Sequence, residues 1–293
     1  MFEQRIIDAV PSVGGKLPNG AYYASKDNEF PSADGQAKRR LNFGWVLAPV
    51  AGQDLASSGA HALPREVTFN AQTRALEQAP LTEVVQLRQA PAFNRSRFDV
   101  GGGAYELPVS ASVARQSELL VNFPLPPAAA LEQGSAVAFG VGISGGAPSP
   151  DLECSVTWAA PPPPAADTRR GRHANFFAAR DAPGELDYYE VSASCGNTTQ
   201  PLRLLRSERL LELRIFCDWT FVEVYFQKGR VVMTTPLPLG AGTALSLWRS
   251  GGEGRGEEDG VYDAPDVATA MLWPMKPIMT TPEAVRAAPR VHF

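Results

Sequence analysis

Two carboxylates, Asp218 and Glu223, stand five positions apart in the most strongly patterned stretch of the chain, Leu211 to Thr235. A carboxylic acid and a carboxylate held close can act as general acid and general base. The same two residues can equally be a turn residue and a solvated strand face. The surrounding pattern bears on the choice. Leu211, Leu213, Ile215 and Cys217 alternate with Glu212, Arg214 and Phe216, the period-two signature of a strand. Asp218-Trp219-Thr220 then turns the chain. In the next strand Val222, Val224 and Phe226 share one face and Phe221, Glu223 and Tyr225 the other. Gln227-Lys228-Gly229-Arg230 reads as a hairpin turn with Gly229 at a position needing positive φ. This places Asp218 in a tight turn and Glu223 on a strand face of mixed character. Chain separation alone does not bring their carboxyls together, so the residues favour a structural role for both.

The other chemistry-bearing residues form no constellation. His61, His173 and His292 are dispersed without metal-ligand spacing, so neither a metal nor any other cofactor is expected. Gly101 to Tyr105 is glycine-rich, but no Lys-Ser/Thr follows and no helix pattern opens there, so it is not a phosphate loop. The basic run Arg169 to His173 reads as a solvated loop. Asn94-Arg-Ser and Asn197-Thr-Thr are glycosylation sequons, and chance supplies a chain of this length with one or two. Cys154, Cys195 and Cys217 are too few for a disulfide scaffold; they allow one bridge and one free thiol, with Cys217 where a strand would bury it.

The elements that must position these residues are short. The 293 residues are 44% hydrophobic and 20% charged, enough for a sizeable core, and 26 Pro with 26 Gly punctuate the chain too often for long helices. A net charge of −4 argues against nucleic acid as a partner, which would call for a basic surface. No apolar core of signal-peptide length opens the chain, and no run approaches the ~18 apolar residues of a membrane span. Pro31-Ser-Ala-Asp34-Gly35 is a turn signal, since Gly35 can take positive φ and Asp34 can close an Asx turn. Three low-complexity stretches interrupt the strand signals: residues 142–151, 159–173 (holding Pro161 to Pro164) and 249–260. They lack the apolar content to pack and read as segments that loop out or are disordered, the four-proline run as a loop insertion. Consecutive hairpins, each with one apolar face, predict an all-β chain built as an antiparallel β-sandwich.

On those residues the chain resembles glycoside hydrolase family 32, the invertases, inulinases and related fructan enzymes. Asp218, Thr220, Glu223, Tyr225 or Phe226, Gly229 and Arg230 fall in register with the signature hairpins of its C-terminal sandwich. Upstream, Gly20 to Lys26 is similar to its Tyr-Ala-Ser-Lys block, Arg39 to Val46 to its Arg-Arg…Gly-Trp block, and Ala62 to Phe69 to its Leu-Pro-Arg-Glu block. Ala268 to Ile278 is similar to its closing strand. The family fold is a five-bladed β-propeller followed by a β-sandwich. The resemblance therefore implies residues 1–85 as the last portion of the propeller, 95–280 as the sandwich and 281–293 as a tail.

The family's activity is hydrolysis of β-fructofuranosidic bonds in sucrose or fructans by a retaining pair of carboxylates about 5 Å apart. Its three catalytic carboxylates lie ahead of the Tyr-Ala-Ser-Lys block, so none is carried over and the chain as given is expected to be inactive by itself. Glu153-Cys154 and Arg180-Asp181-Ala182-Pro183 mimic two catalytic blocks, but in the sandwich region and in the wrong order. Tyr22, Tyr23, Lys26 and Trp45 match blocks near the family's fructose pocket, as sugar contacts or as packing residues of the blade. Pro18 replaces the family's Asp ahead of Gly20. The alternative is a non-catalytic carbohydrate-binding or assembly module, with Trp158, Trp219 and Trp248 as aromatic candidates and Trp219 best placed. The resemblance further implies a sucrose or fructan-type partner and a sandwich that can mediate oligomers; the chain carries no readable address, and the resemblance leaves a secreted or a vacuolar full-length parent open.

Overall fold

The computed structural model describes residues 22–32, 37–46, 59–101, 103–126, 137–146, 151–158, 188–251, 265–277 and 282–287. Pro18, Asp34, Gly35, Pro161 to Pro164, Arg169 to His173, Arg180 to Pro183 and His292 lie outside them. Strand and turn alternate from the start. β1 (Tyr22–Pro31), β2 (Lys38–Val46), β4 (Arg65–Asn70) and β5 (Ala75–Pro80) form an antiparallel sheet in that order, with β3 (Ala60–His61) beside the end of β2. Asn70 closes the β4–β5 turn, its Oδ1 accepting the backbone N–H of Gln72 (2.9 Å) and Thr73 (3.1 Å). A 3-10 turn, Thr82–Leu87, then carries the chain onward.

Two six-stranded antiparallel sheets follow. One is assembled from β6 (Phe93–Phe98), β8 (Gln116–Pro124), β13 (Leu210–Asp218), β14 (Phe221–Phe226), β15 (Val231–Pro236) and β17 (Val267–Pro274), in the order β15-β14-β13-β8-β17-β6. The other uses β7 (Ala104–Glu106), β9 (Val137–Ser144), β10 (Asp151–Trp158), β11 (Tyr188–Cys195), β12 (Thr198–Leu205) and β16 (Ala244–Gly251), in the order β12-β11-β10-β9-β16-β7. Period-two alternation makes the core. Leu119, Val121 and Phe123 of β8 and Leu211, Leu213 and Ile215 of β13 meet Phe139, Val141 and Ile143 of β9 between the layers. Phe123 and Phe139 touch across that gap with ring centroids 5.4 Å apart. Truncating either to Ala is expected to cost about 3–5 kcal/mol.

The expected antiparallel sandwich is therefore present, and the hairpin β13–β14 turns at Trp219-Thr220. Gly229 takes φ +88°, and the two residues before it are also in the left-handed region. Cys154 and Cys195, directly opposed on β10 and β11, are bridged, leaving Cys217 as a buried free thiol. Burial pushes that thiol up to about 12, against a hydrogen bond with Ser117 that acts the other way.

One strand departs from the simple pattern. Every residue of β14 is buried. Val222, Val224 and Phe226 face the sandwich core. The other face is covered by the first sheet and the 3-10 turn: Phe221 packs with Tyr22, Val46 and Ala62, and Tyr225 with Val84, Phe216 and Val232. The first sheet thus sits on the outer face of the sandwich, and Glu223 lies at that junction instead of in solvent.

Candidate functional site

The junction is held by charges that would be costly if unpaired. Glu223, fully buried, accepts the backbone N–H of Leu63 (2.8 Å) and the Arg65 guanidinium (Nη2, 2.9 Å). Arg65, 1% exposed, also donates to Thr234 Oγ1 (2.9 Å) and to Gln78 Oε1 (3.4 Å), and its guanidinium lies 3.8 Å from the centroid of the Tyr22 ring. Around the β14–β15 turn, Arg230 donates to Glu208 through Nη1 and Nη2 (both 2.8 Å) and to Glu77 of β5 (3.0 Å). Gly229 passes so close to β5 that a Cβ there would stand 2.2 Å from the Gln78 carbonyl oxygen. Glu223 of the hairpin thus has its partners in Leu63 and Arg65 of the Leu-Pro-Arg-Glu segment, while Gly229 and Arg230 meet β5 at Gln78 and Glu77.

Glu118 is the other fully buried carboxylate among the described residues. Arg88 donates to it twice (Nε 2.7 Å, Nη2 2.6 Å) and Arg214 once (2.6 Å). Glu118 and Glu223 are both tied to guanidinium groups. Asp218 keeps its side chain at the surface of the turn, yet the crowding around it, then the charge of Glu223, holds its carboxyl above the usual range. Glu153 projects from β10 into solvent, and the Cys154 thiol beside it is consumed in the bridge.

The four candidate sugar contacts divide. Tyr23 lies opposite Trp45 in the β1–β2 ladder, and Lys26 lies opposite Phe43. A register shift between Tyr23 and Lys26, with Ala24 at φ +49°, inserts one extra residue. Without it, residues three apart would point to opposite faces; with it, Tyr23, Lys26 and Trp45 share one open face. His61 joins them, edge-on to Trp45 at 5.4 Å. Tyr22 points the other way, into the junction, its hydroxyl donating to Asn42 Oδ1.

The three sandwich tryptophans also separate. Trp158 is in the core, and the Trp248 ring occupies the space beside Gly140 that a Cβ would fill. Trp219 is 44% exposed, at φ +48° in the β13–β14 turn. Arg115 stacks 3.9 Å from its ring centroid, and its Nε1–H donates to Gln116 Oε1 (2.9 Å). The ring is thereby fixed in orientation while remaining open to solvent. Nothing in the local sequence marks Arg115 or Gln116, more than a hundred residues upstream, as its partners.

The described residues thus form a two-layer antiparallel β-sandwich that grips a smaller antiparallel sheet through buried Arg–Glu pairs. The chain belongs to the glycosyl hydrolases of family 32: the model for the C-terminal domain of that family matches residues 74–258. Fructan 6-exohydrolase of Beta vulgaris is 30% identical over 124 residues, which are 41% of this chain and 20% of that protein. The crystal structure of a variant of fructan 1-exohydrolase IIa from Cichorium intybus, in complex with 1-kestose, is similar with a TM-score of 0.52 at 15% identity, over 88% of this chain and 48% of that one. Exo-inulinase from Aspergillus awamori gives a TM-score of 0.51 at 15% identity, over 87% and 43%. At such identity the structural likeness speaks for the fold. The chain spans less than half the length of these relatives.

Proposed function

We propose that these residues work as the C-terminal part of a β-fructofuranosidase-type glycoside hydrolase, acting on sucrose or fructan-type carbohydrate. The first sheet is the last portion of that enzyme's β-propeller, and the sandwich holds it in place. The observation that carries this reading is the junction: Arg65, Glu223, Gly229 and Arg230 spend their chemistry on joining the two units. Catalysis requires a carboxylate pair facing the glycosidic carbon and the leaving oxygen. The buried carboxylates described here are neutralised by arginines, so the reacting pair belongs to residues other than these. Tyr23, Lys26 and Trp45 form part of the wall of the sugar site, the aromatic faces meeting sugar C–H groups and the Lys26 ammonium donating to hydroxyls. Purified 293-residue chain, incubated with sucrose, 1-kestose and inulin, is expected to release no fructose. Release that co-purifies with the chain would overturn the proposal.

A second reading, a carbohydrate-binding role for the sandwich itself, draws on one feature, the exposed and orientation-locked ring of Trp219. Its test is retention of the chain on an inulin column, lost in Trp219→Ala.

A further inference from the structure

The tip of the β11–β12 hairpin brings together two features that the hydrolase reading does not use. β11 ends at Cys195 and β12 begins at Thr198, so the turn is Gly196-Asn197 alone. Gly196 takes φ +58°, as a two-residue hairpin with glycine at its first central position requires. Asn197 is thereby presented at the apex, exposed, as the first residue of Asn-Thr-Thr. The residue just before the turn, Cys195, is bridged to Cys154 on the neighbouring strand, and both are fully buried. Protein disulfides of this structural kind form and persist in oxidising compartments. A sequon that is functional must sit where a bulky glycan can reach solvent, in a protein that enters the secretory route. Bridge and sequon point to the same compartment independently. The other sequon is placed differently: Asn94 and Ser96 are both ladder residues of β6, paired with Met271 and Thr269.

We propose that Asn197 is an N-glycosylation site and that the protein folds in the oxidising lumen of a secretory pathway. The inference is independent of which sugar the enzyme cleaves. In the transfer, the Asn197 amide nitrogen forms a bond to the anomeric carbon of a polyprenyl-pyrophosphate-linked oligosaccharide. The bond from that carbon to the pyrophosphate oxygen breaks, the lipid pyrophosphate leaves and the amide loses a proton. In the bridge, the Cys154 and Cys195 thiols pass two protons and two electrons to an oxidised dithiol carrier of that lumen. A glycan on Asn197 would also stand beside β12, the edge strand of its sheet, and hinder pairing with other chains there.

The test uses protein purified from its own source and digested without reduction, before and after treatment with peptide-N-glycosidase in heavy-oxygen water. The proposal expects the Asn197 peptide only after treatment, carrying labelled aspartate at that position and linked through Cys195 to the Cys154 peptide. Recovery of the unmodified Asn197 peptide before treatment overturns it, whatever the state of the bridge. In a second arm the chain is secreted from eukaryotic cells in an Asn94→Gln background. Asn197→Gln and Thr199→Ala should each lose one glycan's mass, and Thr199→Ser should keep it. An unchanged mass in Asn197→Gln overturns the proposal.

Discussion

Removing one half of the Arg65–Glu223 pair leaves a charge where water barely reaches, Glu223 being fully buried and Arg65 1% exposed. Breaking a buried pair from one side typically costs about 3–5 kcal/mol. In Arg65→Ala the Glu223 carboxylate keeps the Leu63 N–H and the Thr234 hydroxyl, which moves the expected loss toward the lower end. The stacking of the guanidinium on Tyr22 is lost as well, worth about 0.5–2 kcal/mol, so the total is about 4 kcal/mol. Glu223→Ala strands a guanidinium that retains Thr234, Gln78 and Tyr22, and a loss of about 3–4 kcal/mol is expected there. The matched double variant Arg65→Ala/Glu223→Ala removes both charges together. It should cost clearly less than the sum, with a coupling of about 2 kcal/mol or more. Urea unfolding followed by tryptophan fluorescence reads these differences as midpoint shifts at constant slope. Single variants that each cost under about 1 kcal/mol, the range of exposed pairs, would refute the reasoning, as would an additive double variant.

Gly229→Ala forces an L side chain into φ +88° and a Cβ against the Gln78 carbonyl, so a loss beyond about 1–2 kcal/mol is expected in thermal unfolding. Hydrogen bonds from Arg39 hold the Glu83 carboxyl down to about 2, and the pair is largely solvent-exposed on the Glu83 side. Its folded value lies below its unfolded one, so the stabilisation is present above the ordinary carboxylate range and lost as pH falls toward about 2. Glu83→Gln should therefore flatten the stability–pH curve through that acidic window and leave the slope near neutrality unchanged, as read by urea midpoints across pH. With its thiol pushed up to about 12 by burial, Cys217 should resist iodoacetamide in the folded chain at neutral pH. In denaturant without reductant it alone should react, which mass spectrometry of the alkylated chain would show.

The hairpins around Leu211–Thr235 were legible because alternation and turn chemistry are local: β13, β14 and the Gly229 turn appear where the pattern puts them. The burial of Glu223 was not legible, because its partner Arg65 lies 158 positions away in the chain and only tertiary packing brings them together. The strand reading correctly separated Val222, Val224 and Phe226 from Phe221, Glu223 and Tyr225, but period two cannot say what covers the second face. The β1 bulge escaped for a similar reason. Nothing in Tyr-Tyr-Ala-Ser-Lys announces an extra residue at Ala24, so Tyr23 and Lys26 could not be placed on one face beforehand, nor Tyr22 on the other. Trp219 could be assigned to a turn from its neighbours, whereas its stacking on Arg115 depends on how α1 (Ala111–Ala114) and the start of β8 pack beside that turn.

The most direct test of the central claim is the intact mass and sequence of the polypeptide isolated from its source, together with its activity on sucrose and inulin. The account predicts a longer chain that hydrolyses fructosyl bonds, with its reacting carboxylates ahead of Tyr22 and with Arg65 and Glu223 joining its two units. A fully active native polypeptide made of these 293 residues alone would contradict it.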